Sequence, residues 1–175
     1  VIKPILDLMP AGVIIPMVNS AEMAREAVSF CRYPPVGTRG CGVRRGNRYG
    51  AVDFKSYLQE SQSNPMVIVQ IEHIEAVRNL DAILVVEGID SICIGPYDLS
   101  GSMGLRGEMS HPELNRVMDE IASKTLRAGK MLGTASAPLN RWLARGVHWI
   151  AMTSDCGAMA GSFRQLVADA RQEQQ

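Results

Sequence analysis

Two carboxylates follow strand-like apolar runs, and their spacing matches one repeat of a parallel α/β fold. Glu72 lies at the end of the run VIVQIEH (67–73), and Asp98 lies in SICIGPYDLS (91–100). They are 26 positions apart (98 − 72), which fits one strand, one helix and their loops. Because the carboxyl ends of neighbouring parallel strands meet at one edge, we expect the two side chains to lie side by side. Paired carboxylates there favour a divalent cation such as Mg²⁺ or Mn²⁺.

Side chains alternate along the first of these runs, and the alternation predicts which face of the strand carries Gln70 and Glu72. Ile68, Gln70 and Glu72 share one face of the strand, opposite the three aliphatic residues at 67, 69 and 71. A polar Gln-x-Glu pair on an inner face costs several kcal/mol unless it has partners. We therefore expect a metal or ligand role for Glu72, the alternative being an ion pair with an arginine from a neighbouring strand.

The second run ends in a sharp turn, Gly95-Pro96-Tyr97-Asp98. Such a turn can leave the backbone N–H groups of Tyr97 and Asp98 pointing outward as an anion-binding nest, where a substrate carboxylate would dock. The alternative is a plain turn in which Asp98 caps the next segment.

Strand-like and helix-like segments alternate along the whole chain. Strands are predicted at 12–18, 66–72, 89–95, 130–135 and 149–152, and helices at 2–9, 21–31, 54–62, 74–85, 112–128, 138–145 and 159–171. This alternation predicts a parallel sheet covered by helices. An open doubly wound sheet also fits, but carboxylates at successive strand ends favour a TIM (β/α)₈ barrel. By strand count the chain would carry about the last five strands of that barrel, with the N-terminal strands absent.

Composition narrows the class of protein. With 175 residues, 46% of them hydrophobic, residues 1–175 form one domain. Eighteen basic residues balance eighteen acidic ones, so no net charge draws the chain toward nucleic acid or a membrane surface, and no apolar run approaches the roughly 20 residues of a membrane helix. Four scattered cysteines without a signal peptide predict reduced thiols and a cytoplasmic location. Val1 lies in a predicted helix that is already under way, so we expect either that upstream sequence is missing or that the chain is a genuine fragment.

Two loops and three histidines are the remaining candidates for a functional role. The aperiodic segment 32–52 carries Arg39, Arg44, Arg45 and Arg48, which would clamp an acidic substrate, reach a neighbouring subunit, or simply form a solvated basic loop. The glycine-rich segment 101–107 lacks the GK[ST] ending of a P-loop and is expected to be a mobile lid. The histidines at 73, 111 and 148 are expected to be structural, and no Ser-His-Asp set or zinc spacing is present.

Several strings occur together in one order: RYPPVGTRG (32–40), VQIE (69–72), IGPYDLS (94–100) and HPE (111–113). On these strings the chain resembles the HpcH/HpaI aldolase family. The family comprises metal-dependent class II pyruvate aldolases, such as 4-hydroxy-2-oxoheptanedioate and 2-dehydro-3-deoxyglucarate aldolases.

The resemblance implies roles for five residues. Glu72 and Asp98 would bind Mg²⁺, Mn²⁺ or Co²⁺ together with pyruvate, while the N–H groups of Tyr97 and Asp98 would hold the pyruvate carboxylate. Gln70 would line the site, and Asp7 would support a catalytic histidine of a neighbouring subunit. The implied enzyme is a lyase that cleaves a 4-hydroxy-2-oxo acid to pyruvate and an aldehyde through a metal-stabilised enolate. The implied assembly is a homo-oligomer, a hexamer in the family.

The resemblance is incomplete in one respect. The family's histidine base and substrate-binding arginine come from strands before the segment that matches Val1, so this chain would carry the metal half of the site and be inactive alone. Two alternatives therefore stay open. One is a different lyase or hydrolase that acts on a C–C or C–P bond next to a pyruvate-like enolate, and the other is a non-catalytic metal-binding remnant.

Overall fold

A computed structural model describes residues 2–61, 64–136 and 138–172, and in these residues five parallel strands form one half-barrel sheet. The strands follow one another in sequence order: β1 (Gly12–Ile15), β2 (Met66–Ile71), β3 (Ser91–Ile94), β4 (Met131–Thr134) and β5 (Trp149–Ile150). The helices are α1 (Ile2–Leu6), α2 (Ala21–Cys31), α3 (Phe54–Glu60), α4 (Ile74–Arg78), α5 (Leu80–Leu84), α6 (Pro96–Ser102), α7 (Pro112–Arg127), α8 (Leu139–Leu143) and α9 (Asp155–Gln172).

The two faces of the sheet differ as the alternation predicts. Val67, Val69 and Ile71 of β2 belong to the main apolar core between the sheet and the helices, together with Ile92 and Ile94 of β3. Burying side chains of this size contributes about 1.5–3 kcal/mol each. The opposite, concave face therefore carries Ile68, Gln70 and Glu72, which confirms the predicted direction of the Gln-x-Glu pair.

One helix and one turn predicted from sequence differ in the structure. The predicted helix 74–85 is divided at Asn79, which ends α4 and begins α5. The sharp turn predicted after β3 is the first turn of α6, which has Pro96 at its first position, where proline lacks only an N–H that would be unpaired anyway. The predicted end of α3 at Gln62 lies outside the described residues.

A tryptophan closes the concave face on the amino side of the site. The Trp149 indole lies against Gly133, where a Cβ would stand 1.9 Å from the ring, so a side chain at position 133 has no room. The indole Nε1 donates a hydrogen bond to Ser91 Oγ at 2.9 Å. This contact links β5 to β3 across β4, and Ser91 is paired with Ile68 of β2.

The segment 32–52 packs with α3 around a second small core. The rings of Tyr33 and Tyr57 meet edge to face at 6.0 Å, and their hydroxyls are 3.1 Å apart. Arg39 is 4% exposed and lies 4.6 Å over the Tyr33 ring. Arg39 is therefore an interior residue, which removes it from the solvated basic loop that is one of the alternatives for the four arginines.

In the described part of the chain, no helix combines the length and apolarity needed to cross a bilayer.

Candidate functional site

Glu72 lies one residue beyond β2, and both oxygens of its buried carboxylate are occupied by donors. The backbone N–H of Met17 donates to Oε1 at 2.8 Å, and the Gln70 amide donates to Oε2. Only 4% of the residue is exposed. Each oxygen keeps a further lone pair, so the carboxylate is held in one orientation and can still coordinate a cation.

Asp98 reaches the same edge of the sheet from the first turn of α6. This helix begins directly after β3, the strand that pairs with β2. Asp98 and Glu72 therefore lie beyond the ends of neighbouring strands, as predicted. Tyr97 and Asp98 occupy positions at which backbone N–H groups have no partner within the helix. The anion-binding donors proposed from sequence thus belong to a helix start rather than to an isolated turn.

The Glu72 carboxyl group is electrostatically perturbed. Burial raises its pKa, and the charge and side-chain hydrogen bonding of Asp98 raise it further, against the lowering effect of the Met17 N–H and the Gln70 amide. A bound cation would relieve the repulsion between Glu72 and Asp98.

Cys93 lies beneath this pair on the strand next to Gln70. Its thiol is buried, and burial raises the thiol pKa to about 12, with a smaller effect from Glu72. Cys93 is therefore a neutral packing residue, as its position within a strand predicts.

Asp7 belongs to a different cluster. Its carboxylate accepts hydrogen bonds from Lys3 and from Arg39 Nη2 at 3.0 Å. Burial would raise the pKa of this carboxyl group, but the two cations and their hydrogen bonds lower it overall. Its predicted role toward a neighbouring subunit stays a prediction.

The three histidines accept backbone hydrogen bonds through Nδ1. His73 and His111 cap α4 and α7 through the N–H groups two residues ahead, each at 3.2 Å. His148 accepts the Leu132 N–H at 3.0 Å at the amino end of the sheet. Each therefore has a structural hydrogen bond, as expected, and that none of them is catalytic stays a prediction.

The donor set at this edge fits a divalent cation with open coordination positions. Glu72 and Asp98 offer hard oxygen ligands, and two donors hold the Glu72 carboxylate in place. The described residues contain no cluster of three or more His, Cys, Asp or Glu that could form an all-protein site. Water or a substrate would therefore complete the coordination.

Sequence reasoning missed two features of this site. Nothing in the pattern identifies the Met17 N–H as a partner of Glu72, because a backbone donor in a loop leaves no compositional signal. The α6 helix did have a signal, since a proline followed by an acidic residue is typical of a first helical turn.

The fold and the placement of Glu72 and Asp98 define a half-barrel with an acidic pair at the carboxyl ends of its strands. Residues 1–161 match the HpcH/HpaI aldolase/citrate lyase family, and the chain belongs to that family. It is 40% identical over 159 residues to the 2-keto-3-deoxy-L-rhamnonate aldolase of Klebsiella pneumoniae, and 41% identical to that of Salmonella paratyphi B. Each alignment covers 88% of this chain and 59% of the relative.

Solved structures include a member of the same family. An HpcH/HpaI aldolase from Desulfitobacterium hafniense matches with a TM-score of 0.86 and 30% identity, over 97% of this chain and 67% of that one. The citrate synthase SbnG matches with a TM-score of 0.81 and 26% identity, over 98% of this chain and 67% of that one. The predicted TIM-barrel class is confirmed, and the chain spans about three fifths of the length of the curated relatives it matches.

Proposed function

We propose that this chain supplies the metal-binding and keto-acid-binding half of a divalent-metal-dependent aldolase. The substrate class is a 4-hydroxy-2-oxo acid, which is cleaved to pyruvate and an aldehyde. The observation that carries the proposal is the buried Glu72 carboxylate, oriented by two donors beside Asp98 at the open edge of the sheet. The names of the rhamnonate aldolase relatives support a deoxy sugar acid as the substrate.

Each residue of the site has a separate task in this proposal. Glu72 and Asp98 would hold Mg²⁺, Mn²⁺ or Co²⁺, which when bound supplies Lewis-acid stabilisation of negative charge on a keto oxygen. The N–H groups of Tyr97 and Asp98 would bind the carboxylate of the keto acid. Gln70 would orient Glu72 and line the pocket.

Proton transfer is not assigned to a histidine of this chain. Each of the three accepts a backbone hydrogen bond through Nδ1 in a capping or strand-end position. Two further parts of the proposal come from the family resemblance. They are a hexameric assembly and the support by Asp7 of a catalytic histidine of a neighbouring subunit.

Calorimetric titration with Mn²⁺ tests the proposal. We expect Glu72→Gln and Asp98→Asn each to lose most of the wild-type affinity, because each removes an anionic ligand. Glu26→Gln is the matched control, since Glu26 is an exposed residue of α2. Wild-type affinity in both site variants would disprove the metal assignment.

A second measurement separates the aldolase from the alternatives. A longer chain that also carries the histidine base and the arginine expected from the family should release pyruvate from 2-keto-3-deoxy-L-rhamnonate in a metal-dependent reaction, whereas residues 1–175 alone should not. Metal binding without pyruvate release from any 4-hydroxy-2-oxo acid would favour the non-catalytic remnant. Turnover of other enolate-forming substrates alone would favour the different lyase or hydrolase.

A further inference from the structure

We propose that the backbone of Met17 is a positioning element, and that its left-handed conformation aims an N–H group at Glu72 and thereby fixes a metal ligand. The inference rests on the proposed function, because its consequence is measured at the Glu72–Asp98 metal site. It assigns a role to the segment after β1 that neither the sequence pattern nor the comparisons supply.

The strand register shows how this N–H group leaves the sheet. The β1–β2 pairing runs from Gly12 opposite Met66 to Ile15 opposite Val69. Pro16 follows and has no N–H to continue the ladder. If the pairing continued, Met17 would lie opposite Ile71. Its N–H instead donates to Glu72 Oε1 at 2.8 Å.

The turn depends on an unusual backbone conformation. Met17 has φ 56°, a left-handed value that residues with a side chain adopt only at a cost. Its side chain is 43% exposed, so packing of that side chain does not explain the conformation. The cost of the left-handed conformation is offset by the hydrogen bond to the Glu72 carboxylate, because a hydrogen bond to a charged group is stronger than one between neutral groups.

The residues that follow hold this segment in place. Val18 is 2% exposed and belongs to the main core. The Asn19 carbonyl accepts a hydrogen bond from Asn79 Nδ2 at 2.8 Å. The donor at position 17 is therefore presented from an anchored segment.

The consequence for the metal site follows from the geometry of the carboxylate. The terminal torsion of a glutamate is broad and only weakly constrained by itself. Gln70 restrains one oxygen of Glu72 and Met17 restrains the other, so together they fix the carboxylate plane. Removal of the Met17 N–H would leave Oε1 free to move away from the shared site with Asp98.

The experiment compares the Mn²⁺ affinity of full-chain variants that are changed only at position 17. An ester linkage at position 17, made with the α-hydroxy analogue of methionine, replaces the N–H by oxygen and should weaken Mn²⁺ binding about tenfold, the loss expected for one hydrogen bond to a charged group. Met17→Val should weaken binding in the same direction, because a β-branched residue resists positive φ. Met17→Gly keeps the N–H, tolerates positive φ and should retain the affinity.

Matched controls separate positioning from stability. Met23→Val makes the same substitution at a similarly exposed methionine of α2, 41% exposed, and should leave Mn²⁺ affinity unchanged. Urea unfolding of each variant should show Met17→Gly at least as stable as wild type, because glycine relieves the left-handed strain. A purely structural role would change the unfolding midpoint and not the Mn²⁺ affinity of the folded protein.

The outcomes are distinct. Weak binding in the ester and valine variants, with recovery in Met17→Gly, supports the inference. Wild-type affinity in the ester variant overturns it while leaving the proposed function intact, provided that Glu72→Gln has lost binding. Wild-type affinity in Glu72→Gln overturns both.

Discussion

Gly95 and Glu72 approach so closely that a methyl group on the glycine would overlap the glutamate. A Cβ at position 95 would stand 2.7 Å from the Glu72 Cβ, 2.8 Å from its Oε2 and 2.6 Å from the Gln70 Nε2. Such distances are too short for ordinary contacts, so Gly95 is fixed by space rather than by its own φ of −101°. The end of β3 thus packs directly on the carboxylate that β2 presents.

The first prediction follows from this contact. Gly95→Ala should displace the side chains of Glu72 and Gln70, because the strand backbone cannot retreat from both. We expect destabilisation of about 1–3 kcal/mol, as for other overpacked interiors, together with loss of Mn²⁺ affinity. Urea unfolding and calorimetry measure the two effects, with Gly101→Ala as the control, since a Cβ there meets nothing within 4 Å. Equal Mn²⁺ affinity in Gly95→Ala and wild type would contradict the prediction.

The second prediction concerns a hydroxyl that joins α4 and α6, the helices that follow Glu72 and contain Asp98. Ser102 Oγ donates to the Leu99 carbonyl at 2.7 Å and accepts the Ile74 N–H at 3.0 Å. Leu99 is adjacent to Asp98, and Ile74 is two residues from Glu72. Ser102→Ala would leave the Ile74 N–H without this partner and cost about 1–3 kcal/mol, with weaker Mn²⁺ binding.

Ser102→Thr tests the same idea by rescue. It keeps the hydroxyl and should recover most of the Mn²⁺ affinity that Ser102→Ala loses. Ser123→Ala, at an exposed serine of α7, is the control for removal of a serine hydroxyl. The bridging role would be refuted by a threonine variant as weak as the alanine variant.

The third prediction concerns acid stability at the Asp7–Arg39 pair. The lowered pKa of Asp7 means that the folded state favours its ionised form. This contribution is therefore complete above the ordinary carboxyl pKa of about 4 and is lost as the pH falls through the lower folded-state value.

The Asp7→Asn variant isolates that contribution. Because Arg39 is 4% exposed, removal of its partner should destabilise the protein by roughly 2 kcal/mol at neutral pH, less than for a fully buried pair. The difference from wild type should shrink as the pH falls below about 4. Urea unfolding across this range measures it, and a difference that stays constant with pH would contradict the prediction.

The fourth prediction concerns the keto-acid subsite. Oxamate, an unreactive mimic of pyruvate, should bind the wild-type chain only in the presence of Mn²⁺, because in the proposed site its carboxylate would meet the N–H groups of Tyr97 and Asp98 while the cation would bind its other oxygens. Calorimetry with and without Mn²⁺ gives the result. Equal oxamate affinity without Mn²⁺ would contradict the proposed role of Glu72 and Asp98 in binding the substrate through a metal ion.

The fifth prediction is that neither Lys124 nor Lys130 forms a Schiff base. Lys124 is paired with Asp81 and Glu120 on the outer surface of α7, and Lys130 donates to the Ile89 carbonyl at the amino end of β4. Neither is placed at the carboxyl edge of the sheet. Borohydride treatment with pyruvate should give no covalent adduct by mass spectrometry, and a pyruvate–lysine adduct would overturn the metal-dependent mechanism.

The sequence predicted the part of the site that depends on period and spacing. Alternation along β2 placed Gln70 and Glu72 on the concave face, because successive side chains of a strand point to opposite sides. Parallel pairing of β2 with the next strand, β3, then brought Asp98 to the same edge. The interior positions of Val67, Val69 and Ile71 followed from the same rule.

The tertiary structure decided the contacts that no local pattern contains. The predicted loop arginine Arg39 is interior because Tyr33 and Asp7 give its guanidinium a stacking surface and a counter-charge. The Met17 N–H reaches Glu72 across 55 residues of sequence through a left-handed conformation that a methionine does not signal. Local sequence determines which face a side chain takes, whereas the packing of distant segments determines which backbone donor meets it.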